Sequence, residues 1–218
     1  MRYQLAIFDL DGTILDTLED LYSSVNYALQ NNQLPERTLP EVRQFVGNGI
    51  RKLIERSVPT DVTDPERIDQ VHRDFTAYYQ QHCADHTAPY PHIPEVLRTL
   101  QKSSIRTAVV SNKADYAVQS LCKTYFPGLF DSIAGEKDGV RRKPAPDSVL
   151  AVLEDLQIAP EQAIYIGDSD VDIQTAQNAG IPCISVTWGF RDRDFLLKHH
   201  AQTLITEPQE LLALLLNN

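Results

Sequence analysis

The chain has 218 residues, 42% of them hydrophobic, and a formal net charge of −10 at neutral pH. That length and apolar content suit one α/β core with a modest insertion and exclude a disordered chain. The acidic balance argues against a nucleic-acid or acidic-membrane partner, and no apolar run reaches transmembrane length.

Cys83, Cys122 and Cys183 are scattered and odd in number, so they read as reduced thiols rather than a disulfide framework or a metal site. With no signal-peptide architecture at the N-terminus, a cytoplasmic protein is expected.

The first apolar segment, Leu5 to Phe8, reads as a short buried strand at about 4–8 that ends in Asp9 and Asp11, followed by Gly12. Strand residues two apart point to the same side, so the two carboxylates can converge at the strand's C-terminal end. Open α/β sheets hold their ligands there. On its own, such a pair reads more simply as an acidic turn closing a strand.

From Leu18 to about Ala88 only helical patterns occur, at about 17–31, 39–57 and 64–84. This interval is too long for a loop. It reads as an all-helical insertion, residues 16–87, within a core formed by 1–15 and 88–218. Linkers near Ile14–Asp16 and Ala88–Pro94 bound it, and the prolines of the second stiffen the return. Inside the insertion, Phe45-Val46-Gly47-Asn48-Gly49-Ile50-Arg51-Lys52 has two readings. It is either a loop at a helix junction where Asn48, Arg51 or Lys52 meets the far end of a substrate, or a bent helix carrying solvated charges.

Beyond the second linker, helices expected at about 94–102, 114–124, 146–156, 170–178 and 207–216 alternate with strands. The strands fall at about 105–110, 131–134, 163–166, 183–186 and 203–205. This alternation predicts βαβ units and a parallel sheet covered on both faces. Val109-Val110 runs into Ser111-Asn112-Lys113, Lys143-Pro144 opens a helix, and Ile164-Tyr165-Ile166 runs through Gly167 into Asp168-Ser169-Asp170-Val171-Asp172. The histidines show no ligand spacing and read as surface or linker residues.

These four segments, in this order, resemble the motifs of the haloacid-dehalogenase-like hydrolase superfamily, and the resemblance covers essentially the whole chain. Within it the chain looks most like the phosphoglycolate phosphatases, small-molecule phosphatases with a helical cap. The resemblance implies a Rossmann-like core, a cap inserted after the first strand and a Mg²⁺-dependent phosphatase acting on a small phosphorylated metabolite, as a monomer or homodimer. One departure is His92, where relatives often carry glycine in a Tyr-Pro-Gly linker.

By the same resemblance Asp9 is the nucleophile that forms an aspartyl-phosphate, splitting a very slow hydrolysis into two steps. Asp11 is the acid/base. Mg²⁺ favours hard oxygen ligands, and Asp9, Asp168 and the backbone carbonyl of Asp11 are its expected set. Asp172 would orient that cluster from behind, whereas Asp170 reads as a solvated charge at a helix start; the helix dipole favours aspartate at both positions. Gly12 and Thr13 are expected to offer backbone N–H groups to phosphate. Ser111, with the amide of Asn112, and Lys143 are expected to stabilise the transferring phosphoryl group. A cap for Ser111-Asn112 and a generic basic turn of Arg141, Arg142 and Lys143 are the plainer readings.

Other functions fit less well. A sugar phosphomutase of the same superfamily would use both aspartates, and Asp-Gly-Thr rather than Asp-Gly-Val leans toward a phosphatase. A dehalogenase has no alkoxide to protonate and no need for Asp11. A phosphoryl-accepting signalling domain lacks the insertion and the second acid.

Overall fold

The computed structural model describes residues 3–216. In chain order the elements are β1 (Leu5–Phe8), β2 (Leu15–Asp16), α1 (Leu18–Asn31), α2 (Leu39–Phe45), α3 (Gly49–Ser57), α4 (Pro65–His82), β3 (Ala88–Pro89), α5 (Ile93–Lys102) and β4 (Arg106–Ala114). They continue with α6 (Asp115–Tyr125), β5 (Ser132–Glu136), α7 (Asp147–Leu156), β6 (Ala163–Gly167), α8 (Asp170–Ala179), β7 (Cys183–Val186), α9 (Arg193–Lys198), β8 (Thr203–Ile205) and α10 (Glu210–Leu216). The chain divides into two compact units, residues 16–88 and the remainder.

The larger unit is built on a six-stranded sheet of order β5-β4-β1-β6-β7-β8, parallel throughout. β1 lies between β4 and β6, with Leu5 opposite Arg106 on one side and Ala163 on the other. All four β1 residues are fully buried, which is why the segment reads as an unbroken apolar run. On one face Leu5, Ile7, Val110 and Tyr165 pack with Val149, Val152 and Leu153 of α7 and Ala176 of α8. Burying an aliphatic side chain of this size contributes about 1.5–3 kcal/mol. The sheet therefore holds the carboxyl ends of β1, β4 and β6 side by side.

The smaller unit is helical, α1 to α4. A capping box joins Thr38 and Glu41 at the start of α2, and the Asp64 side chain caps α4. Asp20, buried in the first turn of α1, accepts from the backbone N–H groups of His86 and Thr87, both at 2.9 Å, and from Thr87 Oγ1 at 2.7 Å. The two ends of the unit are tied together by that one carboxylate. The single helix expected over 39–57 is two helices, because Gly47 and Gly49 take φ of 125° and 81° and break the chain around Asn48.

Other differences are local. β4 runs on to Ala114 rather than stopping near 110. α9 went unpredicted because six residues, capped by Asp192 Oδ1 on Phe195 N at 2.8 Å, are too short to show a period. Among the described residues no helix is long and apolar enough to cross a membrane.

Candidate active site

Asp9 continues β1 by one residue, its N–H donating to Ile166 O at 2.9 Å, and is buried where β1 and β6 end. The chain then turns sharply. Gly12 takes φ of +85°, and a Cβ there would stand 2.5 Å from Asp168 Oδ2, so both backbone conformation and space demand glycine. The N–H of Gly12 donates to Leu15 O at 2.9 Å and that of Thr13 to Leu10 O at 3.3 Å. Each of these two amides thus donates to a carbonyl of the same turn. Thr13 contributes differently: its Oγ1 donates to Asp168 Oδ1 at 3.2 Å.

Asp168 follows β6, fully buried, and its Oδ2 accepts from Phe190 N at 2.7 Å. Ser169 caps α8 in a capping box with Asp172. Asp172 Oδ2 accepts from Ser169 Oγ at 2.6 Å and its N–H at 3.1 Å, while Oδ1 accepts from Lys143 Nζ at 2.7 Å. Both oxygens of Asp172 thus accept hydrogen bonds from the protein. Asp170 sits half-exposed in the first turn of α8.

Lys143 precedes α7 rather than opening it; the helix begins at Asp147, because the prolines at 144 and 146 favour the turn before it. Asn112 holds the lysine in place. Its Nδ2 donates to Lys143 O at 3.0 Å and its Oδ1 accepts from Lys143 N at 2.9 Å, so the side-chain amide is a clasp on the lysine backbone. The buried ammonium also reaches Tyr165 Oη at 3.0 Å and stands 2.9 Å from Asp9 Oδ1. Burial alone would lower the lysine's pKa, but Asp172 and Asp9 outweigh it and hold the ammonium protonated.

The register of β4 against β5 shifts between Val110 and Ala114, which pair with Ala134 and Glu136. Such a bulge re-aims side chains, and Ser111, Asn112 and Lys113 are all buried in it. Ser111 Oγ accepts from Lys113 N at 3.3 Å. Lys113 Nζ donates to Asp11 Oδ1 at 2.9 Å, with the lysine side chain only 3% exposed. The sequence signal for Lys113 is its place two residues past the strand-end Ser111.

Ligand atoms of Asp9, Asp168 and Asp172 all lie within 4.8 Å of one another. Desolvation pushes the Asp9 carboxyl up to about 7, Asp172 and Asp11 adding to the rise and Lys143 opposing it. Asp168 is pushed up to about 8, again chiefly by burial, with Asp172 and Asp9 adding and the Phe190 amide and Arg191 opposing. Three buried carboxylates this close carry more negative charge than the Lys143 ammonium balances, which favours a further cation among them. Asp9 Oδ1 is buried and, although Lys143 is near, receives no hydrogen bond of proper direction. Clustered carboxylate oxygens of this kind fit part of the oxygen set that a hard divalent cation takes.

In the helical unit Arg51 Nε donates to Glu55 at 2.9 Å and Nη1 to Asp69, Lys52 Nζ donates to Glu55 at 2.6 Å, and Asn48 Oδ1 accepts from Arg56 at 2.7 Å. Each of these residues has a partner within its own unit.

A family model for haloacid dehalogenase-like hydrolases matches residues 6–186. A phosphoglycolate phosphatase of Agrobacterium fabrum is 36% identical, over 86% of this chain and 82% of that protein. One from Aquifex aeolicus is 32% identical, over 86% of each. A crystal structure from Lactobacillus delbrueckii subsp. bulgaricus, provisionally assigned as a phosphoglycolate phosphatase, shares 37% identity with a TM-score of 0.92 over 99% of both chains. With the carboxylate cluster, the buried lysine and the parallel sheet that presents them, the chain belongs to the haloacid dehalogenase-like hydrolases and is a phosphatase of that family.

Proposed function

We propose that the chain hydrolyses a small phosphorylated metabolite of the phosphoglycolate type through an aspartyl-phosphate on Asp9, with Mg²⁺ as cofactor. The observation that carries this reading is the Asp9 carboxylate, buried at a strand end with one oxygen free of hydrogen bonds and an ammonium 2.9 Å away. The similarity to named phosphoglycolate phosphatases supports the substrate class.

Asp9 and Asp168 would hold the cation through their carboxylates, and Asp11 through its backbone carbonyl. When bound, Mg²⁺ supplies the positive charge that lets a dianionic phosphate approach a group of carboxylates. A carboxylate oxygen of Asp9 attacks phosphorus as the bond to the leaving oxygen breaks. The carboxyl of Asp11 gives that oxygen a proton. Water then attacks the aspartyl-phosphate, Asp11 takes a proton from it, and phosphate leaves with Asp9 regenerated. Lys143 and the Ser111 hydroxyl stabilise the negative charge on the phosphoryl oxygens, the main tool of phosphoryl transfer. Asn48, Arg51 and Lys52 are the proposed selectivity residues, discriminating among substrates by what lies beyond the phosphate.

The test is a panel of phosphorylated metabolites assayed for phosphate release with Mg²⁺ and with chelator. Release of phosphate from phosphoglycolate, lost on chelation and restored by Mg²⁺, is the expected result. Isomerised sugar phosphate in place of free phosphate would replace this reading with that of a phosphomutase.

A further inference from the structure

Three consecutive residues after β7 grip both halves of the carboxylate cluster, and neither the sequence motifs nor the reaction steps account for them. Trp188 Nε1 donates to Thr13 O at 3.0 Å, across the sheet edge to the turn that follows Asp11. Gly189 is packed so closely that a Cβ would lie 2.3 Å from Gly12 O and 2.4 Å from Asp168 Cβ. Phe190 N donates to Asp168 Oδ2 at 2.7 Å. The Tyr90 ring lies 6.5 Å from that of Trp188, so the indole has an aromatic neighbour as well as an acceptor.

The consequence is mechanical. Asp168 is held by one oxygen from Thr13 and by the other from Phe190, while Trp188 ties Thr13 itself to the same loop. The direction of the Asp168 carboxylate relative to Asp9 therefore depends on the loop keeping its place. Mg²⁺ demands near-ideal octahedral geometry at short distances, whereas Ca²⁺ tolerates longer and looser ones. A small shift of one ligand costs the smaller ion more.

We propose that residues 188–190 form a brace that sets the affinity and ion selectivity of the carboxylate cluster, with Trp188 as the positioning residue that anchors it. This rests on the reading of Asp9 and Asp168 as cation ligands. The brace also explains why a glycine stands at 189: it is the one residue type that lets the loop touch both the nucleophile turn and Asp168.

Trp188→Phe keeps an aromatic ring in place but removes the indole N–H together with part of the ring, which tests the anchoring of the loop to Thr13. Metal binding is read by isothermal titration calorimetry with Mg²⁺ alone and with Ca²⁺ alone, on wild type, Trp188→Phe, Gly189→Ala and Asp168→Asn. Loss of one hydrogen bond should weaken Mg²⁺ binding by about three- to tenfold and Ca²⁺ binding by less. Gly189→Ala, which has no room for its methyl group, should lose more than Trp188→Phe; should it fail to fold, Trp188→Phe still decides. Unchanged Mg²⁺ binding in Trp188→Phe, or equal losses for both ions, with binding abolished in Asp168→Asn, would overturn the brace and leave the cluster standing. Wild-type Mg²⁺ binding in Asp168→Asn would overturn the cluster itself, and the brace with it.

Discussion

Lys143 Nζ donates to Asp172 Oδ1 at 2.7 Å, closer than its 2.9 Å approach to Asp9 Oδ1. Asp172 thus fixes the cation that serves Asp9. Asp172→Asn preserves shape but removes the charge that holds Lys143. The expected result is a fall in kcat of about ten- to a hundredfold with a smaller change in KM, because misplacing a group by about 1 Å costs rates of that order. Steady-state kinetics at saturating Mg²⁺ check it; a change confined to KM would contradict the assigned role.

Stability without metal should depend on pH. In the metal-free fold Asp9 is raised to about 7 and Asp168 to about 8, both above the ordinary carboxylate value of 3.8. The folded state then binds more protons than the unfolded one between those limits, so stability falls as pH rises. Stability present at low pH is lost as the pH passes through about 7 to 8. In chelator, Tm should drop from pH 6 to pH 8.5, and the protection given by Mg²⁺ should grow over the same interval, since the ion binds the deprotonated ligands. A Tm in chelator that rises with pH would contradict the account.

Lys113 should matter through Asp11. Alkyl phosphates need a proton on the departing oxygen, whereas nitrophenyl phosphate does not, so a displaced acid penalises the first class. Lys113→Met, which removes the partner at 2.9 Å, should lower kcat/KM for an alkyl phosphate by about tenfold more than for the aryl ester. Lys113→Arg should recover part of the difference. Equal losses on both substrates would mean that the lysine serves the fold alone.

The linker residue His92 has φ of +67°, the left-handed region that favours glycine. His92→Gly should raise stability by about 1 kcal/mol, the strain relieved being somewhat offset by a freer unfolded chain. Denaturant unfolding with an unchanged m-value reads it.

The sheet was legible because buried parallel strands such as Leu5–Phe8 and Ala163–Gly167 are continuous apolar runs, and a period-two or all-apolar pattern survives without tertiary context. Strand-end carboxylates were legible for the same reason. The backbone partners of Gly12 and Thr13 were not, since they depend on where the carbonyls of the turn fold back. Nor was Trp188, whose partner Thr13 lies 175 residues away. Lys113 was hidden because it lies in the register shift between Val110 and Ala114, where regular alternation does not hold, and its partner Asp11 is 102 residues away.

The central claim is that Asp9 forms a covalent phosphoryl intermediate. The direct measurement is acid quench of enzyme mixed with radiolabelled phosphoryl substrate, followed by peptide mapping, on wild type, Asp11→Asn and Asp9→Asn. The account predicts label on the peptide that contains Asp9 in wild type, and more of it in Asp11→Asn with an aryl phosphate, where formation needs no acid but hydrolysis lacks its base. It predicts neither label nor phosphate release in Asp9→Asn. Near-normal turnover by Asp9→Asn, or label on another residue, would contradict it.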